Sequence, residues 1–248
     1  MPQSQDDRLP GVLEPVNEPG ATGYSAHHRR GGRTSVTQTI VEEQVVRSRH
    51  RVRTYGEVFT PRHMVDRMLD LVSQELEAGP DFVDKTFLEP AAGHGNFLVA
   101  ILQRKLRAIE QVYSPEERPE ASLFALASIY GIELLEDNHC DAKEAMLAEF
   151  LRFHEEHGVP CGPDTSLRRA AAFLIDTNVV RGDTVGGLDW RGKEIQFSWW
   201  NRIPGAPGMV QREPFTLASL RGAFDFIVDD SYRPCRIDQV HERARADA

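Results

Sequence analysis

Four acidic residues, Glu89, Glu133, Asp183 and Asp229, each close a short apolar stretch of this 248-residue chain. The stretches read Thr86-Phe87-Leu88-Glu89, Ser128-Ile129-Tyr130-Gly131-Ile132-Glu133, Asn178-Val179-Val180-Arg181-Gly182-Asp183 and Phe224-Asp225-Phe226-Ile227-Val228-Asp229. Short β-branched and aromatic runs of this kind read as strands. A carboxylate at a strand end can accept hydrogen bonds from the hydroxyls or amines of a ligand lying across the sheet. The first stretch runs into Ala91-Ala92-Gly93-His94-Gly95. Two glycines between a strand and a helix let the backbone approach a ligand and aim amide N–H groups at it. Many such turns hold glycine for steric reasons alone, so the surroundings have to identify the ligand.

A phosphate-cradling loop needs Gly-Lys-Ser/Thr at the helix start, but Gly95 is followed by Asn96-Phe97. A dinucleotide site wants a third glycine where Leu98 stands, because there the helix packs close under the pyrophosphate. The remaining candidate carries an adenosine and an amino acid but no phosphate: S-adenosylmethionine. For that ligand Glu133 can take the ribose hydroxyls, Asp183 can accept from the adenine amino group, and Glu89 lies near the place of the ammonium.

The elements that must position these groups follow from periodicity. Gly56-Glu57-Val58-Phe59-Thr60-Pro61 leads into an amphipathic stretch with Met64, Val65, Met68, Leu69, Val72 and Leu76 expected on one buried face. Thr60 is placed to cap that helix and Pro61 to take its first position, with Gly79-Pro80 ending it. A second helix begins near Asn96, with Phe97, Leu98, Ile101, Leu102, Leu106 and Ile109 at helical spacing. Further helices are expected over about 117–126 and 137–156, a short one before Asn178, and a hairpin arm from Glu194 to Trp200. Strands alternating with helices predict an α/β fold, a parallel sheet with helices on both faces that collects its ligand at the carboxyl ends of the strands.

Residues 1–45, rich in Pro, Gly, Ser, Gln and Arg, are expected to form a disordered tail ahead of one domain over 46–248. The net charge of −9 argues against a protein that grips nucleic acid through a broadly basic surface. Arg47, Arg49, Arg51 and Arg53 form a local basic cluster, which reads as a solvated lead-in or as a contact for phosphates. Three scattered cysteines without a C-x-x-C pair fit a reduced, cytoplasmic compartment and no metal site. No apolar run reaches the length of a membrane span, and no secretory leader is expected.

Gly-Glu-Val-Phe-Thr-Pro at 56–61, Phe-Leu-Glu-Pro-Ala-Ala-Gly-His-Gly-Asn-Phe-Leu at 87–98, Gly-Ile-Glu-Leu at 131–134 and Asn-Val-Val-Arg-Gly-Asp-Thr at 178–184 stand in a fixed order. That set resembles the N6-adenine DNA methyltransferases of restriction–modification systems, in particular their modification subunits and combined enzymes. Ile195 to Trp200, Arg212 to Phe215 and Phe224 to Val228 are similar to that family's approach to its catalytic strand. The resemblance spans about residues 51–232. It implies a Rossmann-like S-adenosylmethionine-dependent methyltransferase sheet, incomplete at the C-terminus. It also implies cofactor contacts from Phe59, Thr60, Pro61, Glu89, Pro90, Ala91, Gly93, Gly95, Asn96, Phe97, Glu133 and Asp183. Phe59-Thr60-Pro61 would help close over the methionine part. DNA is the implied partner, with a specificity or restriction subunit supplying target recognition.

Methyl transfer to adenine N6 needs an oxygen acceptor for the amine hydrogens and an aromatic ring on which the extruded base stacks. The family meets both needs with Asp/Asn-Pro-Pro-Tyr/Phe. Here the segment is Asp229-Asp230-Ser231-Tyr232. Asp229 and Tyr232 keep the catalytic register, while both prolines, which would stiffen the loop, are replaced. The reading is therefore an adenine-N6 methyltransferase, with a catalytically silent methyltransferase-like binding module as the alternative. His94 is expected to face solvent, and Trp190, Trp199 and Trp200 to pack in the core or hairpin.

Overall fold

A computed structural model describes residues 45–220 and 232–243. All of them belong to the unit Glu42–Ala248. The expected tail lies outside the described residues but for Val45, and so does the stretch Phe224 to Asp229.

Three short helices come first: α1 (Arg49–Tyr55), α2 (Arg62–Asp70) and α3 (Ser73–Glu77). Then β1 (Phe87–Glu89), α4 (Asn96–Val112), α5 (Arg118–Ala127), β2 (Ile129–Glu133), α6 (Glu136–Glu156), α7 (Ser166–Asn178) and β3 (Val179–Asp183) alternate. A two-residue β4 (Leu188–Asp189) leads into β5 (Gln196–Arg202) and β6 (Met209–Thr216). The single turn α8 (Leu217–Leu220), a short β7 (Cys235–Arg236), a 3-10 turn and α9 (Val240–Arg243) complete the described elements.

The main sheet has the order β1-β2-β3-β4. β1, β2 and β3 are parallel, with Glu89 beside Gly131 and Glu133 beside Arg181. β4 runs antiparallel to β3, so the sheet is mixed rather than all parallel. The parallel register follows from the crossovers, since each strand returns through a pair of helices too long for a hairpin. Glu89, Glu133 and Asp183 end neighbouring strands at one edge of the sheet.

Helices do not cover both faces among the described residues. Ile129 and Val179 face a core shared with Leu98, Leu102, Phe124, Met146, Phe150 and Leu174 of α4 to α7. Tyr130, Ile132 and Val180, pointing the other way, are covered by Ile195, Phe197, Trp199 and Phe215 around the β5–β6 hairpin, with Leu217 of α8. A two-residue period sends alternate side chains to opposite faces. The hairpin's own alternation lets it act as the second layer. It pairs from Gln196–Thr216 to Arg202–Val210.

The helix after Pro61 also differs from expectation. Pro61 sits at the cap position, and no side chain caps α2, so Thr60 does not serve there. Val65, Leu69 and Leu76 are buried, but Met64 and Met68 are about half exposed. The single helix expected up to Gly79-Pro80 breaks at Leu71–Val72, so Leu76 belongs to α3, and α2 packs on α4 along a stripe too narrow to bury its two methionines as well. Arg104 of α4 fixes it from below: its Nη2 donates to the Asp66 carbonyl at 2.8 Å and to Asp70 at 2.7 Å, and its Nη1 to Glu77 at 2.9 Å. α7 is a full thirteen residues, capped by Thr165, and runs directly into β3.

Two buried polar side chains secure the helical layer. Lys105, fully buried, donates to the carbonyls of Val83 and Lys85 and to Ser128 Oγ at 3.0, 2.6 and 2.6 Å. His154 Nε2 lies 2.9 Å from Ser122 Oγ, whose proton goes to the Pro119 carbonyl. Burial pushes the His154 imidazole down to about 4.

Candidate functional site

The turn after β1 is bound to its neighbours before any ligand is considered. Gly93 has φ +56° and Gly95 φ +97°, backbone that side-chain-bearing residues rarely adopt. A Cβ on Gly95 would stand 2.9 Å from Ala142 Cα, and one on Gly93 3.2 Å from the Phe59 ring. Gly95 therefore lets α4 start close against α6, and Gly93 lets the Phe59 segment lie on the turn. Glu133, buried at the end of β2, accepts from Gly93 N at 2.7 Å and from Leu135 N at 2.9 Å. Thr184 Oγ1 donates to the Pro90 carbonyl at 2.5 Å, joining the loop after β3 to the same turn.

These ties enclose a cavity of about 290 Å³. Its floor is Pro90, Ala91 and Gly93, and its acidic walls are Glu57, Glu133 and Asp183. Phe59 lines it as well. Its rim carries Tyr55, Val58, Leu134 and Val185, all strongly exposed for apolar side chains. No Lys, Arg or His is among the described residues that line it.

The other residues singled out in the sequence stand behind or beside the cavity. Asn96 Nδ2 donates to the Thr60 carbonyl at 2.9 Å, pinning the Phe59-Thr60-Pro61 segment to the start of α4. Gly95, Asn96, Phe97, Thr60 and Pro61 shape the walls without lining them. Glu89 turns back to accept from Ala91 N at 3.0 Å, outside the lining, and burial raises its carboxyl pKa while that bond lowers it. Asp183 accepts from Val185 N at 2.9 Å, which folds the loop over the cavity edge. His94 is half-buried and meets Phe59 edge-to-face at 4.0 Å, so it does not face solvent.

Three residues have no site role from the sequence, although Arg51 belongs to the basic cluster and Glu57 to the Gly-Glu-Val-Phe-Thr-Pro motif read there. Glu57 and Asn138 are buried at the cavity, and Asn138 Nδ2 donates to Glu57 at 2.7 Å, with Glu133 at 3.4 Å. The third is Arg51, whose Nε donates to Glu57 at 2.7 Å and whose Nη atoms grip Asp137. Arg47 pairs with Asp137 and Asp141. Half of the basic cluster is thus spent within the chain, holding α1 over the cavity, while Arg49 and Arg53 remain exposed. The arginines hold the Asp137 carboxyl down at about 2. Apart from Glu57, six residues from Arg51, the acids that take up these arginines lie 86 or more residues away, and one sequence does not show such pairings.

Asp229 lies outside the described residues. Tyr232 does not line the cavity; the Arg212 guanidinium covers its ring at 4.4 Å. Trp200 is buried and Trp199 stacks on Phe215 at 4.1 Å, but Trp190 is exposed beside Arg181 and Arg191. The described residues contain no cluster of three or more His, Cys, Asp or Glu suited to a metal ion, and no helix long and apolar enough to cross a membrane. Comparison of the chain with protein-family models, with curated proteins and with solved structures found no match in any of the three.

Proposed function

We propose that this chain carries the S-adenosylmethionine site of a Rossmann-like, restriction–modification type DNA adenine-N6 methyltransferase, with a partner polypeptide supplying target recognition. The observation that carries the reading is the polarity of the cavity: Glu133 and Asp183 stand around a glycine turn, the third carboxylate, Glu57, is paired with Arg51 behind the lining, and no cation lines the cavity. A phosphorylated ligand would meet repulsion there, whereas a cationic nucleoside with free ribose hydroxyls finds acceptors. The ordered motifs described from the sequence support the same ligand.

The residues present fit that ligand. Pro90, Ala91 and Gly93 would pass beneath it, Glu133 would accept from the ribose hydroxyls, and Asp183 would face the adenine edge. Leu134 and Val185 offer apolar contact to the base, and Phe59 closes the methionine end. When bound, the cofactor supplies a methyl group made electrophilic by the sulfonium. Glu133 is already oriented by two backbone N–H donors, so it needs little reorganisation on binding. Asp229 would accept the amine hydrogens of the target adenine, and Tyr232 would stack on the base once its ring leaves Arg212.

One arrangement favours the silent alternative. Tyr232 is held by Arg212 and by Gln211 Nε2, which donates to its carbonyl, and the two prolines that would stiffen the preceding loop are Asp230 and Ser231. Two measurements separate the readings. Calorimetry with S-adenosylmethionine should give saturable one-to-one binding that Glu133→Ala abolishes; absence of binding sinks both. Methyl transfer to mixed-sequence DNA, lost in Asp229→Ala, identifies the enzyme, whereas binding without transfer in any pairing identifies the silent module.

A further inference from the structure

Asn138 stands in the first turn of α6, 1% exposed, between two carboxylates that belong to different parts of the cavity. Its Nδ2 donates to Glu57 Oε1 at 2.7 Å and reaches Glu133 Oε1 at a longer 3.4 Å. Glu57 comes from the segment after α1, where Tyr55 through Phe59 all line the cavity, whereas Glu133 ends β2. Each carboxylate is also engaged on its far side. Arg51 Nε donates to Glu57 Oε2 at 2.7 Å, and Gly93 N donates to Glu133 Oε2 at 2.7 Å. One amide thus completes a run of hydrogen bonds from α1 to the glycine turn. Asn138 Oδ1 has no partner among the described residues, so the carboxylates alone fix which way the amide points.

Asp137, the preceding residue, takes the Nη atoms of Arg51 on the outer side. The inner link is the drier of the two, since the Glu57 side chain is 5% exposed and that of Asp137 46%. A buried hydrogen bond to a charged group contributes more than an exposed ion pair, and two buried carboxylates can stand this close only with donors between them. We propose that Asn138 is a positioning residue that couples closure of the 49–59 segment to occupation of the cavity. The inference rests on the cofactor reading above, in which Glu133 accepts from the ribose hydroxyls. A ligand that fixes Glu133 steadies Asn138, and Asn138 steadies Glu57 and through it Arg51. Coupling of this kind is reciprocal, so loss of Arg51 weakens the ligand although Arg51 does not line the cavity.

Hydrogen exchange of the peptide covering residues 49–60 in the full chain, with and without saturating S-adenosylmethionine, separates coupling from a structural role. In the parent, saturation should slow exchange there at least about fivefold. In Asn138→Ala, a change that suits a helix, exchange should be faster without ligand, and saturation should slow it less than about twofold. A residue that only shaped the cavity would lower affinity and leave protection at saturation intact. Arg51→Met reads the coupling from the other end. Calorimetry should give about fivefold weaker S-adenosylmethionine binding, and the double variant should bind no more weakly than Asn138→Ala alone. Full protection in saturated Asn138→Ala, or additive losses in the double variant, would overturn the coupling and leave the cofactor reading in place. Unchanged affinity in Arg51→Met overturns it too, even if Asn138→Ala does not fold. If the parent binds no S-adenosylmethionine, both readings fall together.

Discussion

Glu133 is a buried carboxylate whose two oxygens are both engaged, by Gly93 N and Leu135 N. Its removal therefore does more than delete a ligand contact: it leaves two turn amides without an acceptor. Glu133→Gln, which keeps the shape but exchanges one acceptor for a donor, should bind S-adenosylmethionine at least about tenfold more weakly in calorimetry, the loss of one charged hydrogen bond. Gly95 makes a steric demand of a different kind. Gly95→Ala combines φ +97° with a 2.9 Å approach to Ala142 Cα and should cost about 2–4 kcal/mol in urea unfolding. Gly158→Ala, also at positive φ but with open space around it, should cost only about 1 kcal/mol. His154 sets a pH dependence. Its imidazole is held down at about 4, against an ordinary 6.5, so the unfolded chain binds a proton that the folded chain refuses between those values. Its contribution is fully present above pH 6.5 and is lost as pH falls toward 4, by about 3 kcal/mol. Urea midpoints at pH 7.5 and pH 5 measure it, and His154→Gln should remove most of the difference.

At the scale of elements, α1 and the Gly56-to-Pro61 segment act as a strap across the cavity. The strap buries none of its α1 residues and is held by polar groups: Arg51 and Arg47 on α6, Phe59 N on the Val45 carbonyl at 2.8 Å, and Asn96 on Thr60. Partly exposed ion pairs contribute about 0–1 kcal/mol each and weaken with salt, so the strap is held less firmly than elements fixed by burial. Arg51→Met should leave global unfolding within about 1 kcal/mol yet raise tryptic cleavage at Arg47, Arg49 and Arg53. Saturating S-adenosylmethionine should restore protection in the parent more than in the variant. Asp137, at about 2, supports the strap above its ordinary 3.8 and releases it only as pH falls through about 2, so the strap should stay closed at neutral pH. The hairpin behaves differently, because it is held by burial. Phe197, 1% exposed beneath Tyr130, should cost about 3–5 kcal/mol when changed to Ala.

For the whole molecule, charge bears on whether the chain alone could hold DNA. The chain carries −9 overall, and two of the four clustered arginines are neutralised internally. The chain alone should therefore retain no duplex DNA in mobility-shift assays at physiological salt and micromolar protein, since phosphate contacts supply most non-specific affinity. Retention at those conditions would remove the need for a recognition partner. The two-layer build has its own consequence: the helical layer forms the large core and the hairpin a smaller one. The hairpin bonds to the main sheet through Tyr130 Oη, which donates to the Ser198 carbonyl at 3.1 Å, and to the end of α7 through Ser198 N, which donates to Asn178 Oδ1 at 3.3 Å.

Much of this arrangement was legible from local pattern. The runs ending at Glu89, Glu133 and Asp183, the helix opening at Asn96 and those near 118 and 136 depend on periodicity and on glycine at a strand end, which neighbouring residues encode. Alternation along β2 also required two different surfaces above and below the sheet. What covers those surfaces was decided elsewhere, because a hairpin and a helix can each bury the same apolar face. So too for Arg51, Glu57 and Asn138: their types are ordinary, and although Arg51 and Glu57 are near neighbours in the chain, it is folding that brings Asp137 and Asn138 within hydrogen-bond reach of them. Met64 and Met68 failed as core residues for the same reason, since helical spacing shows that a face is apolar but only packing shows how wide a stripe is buried.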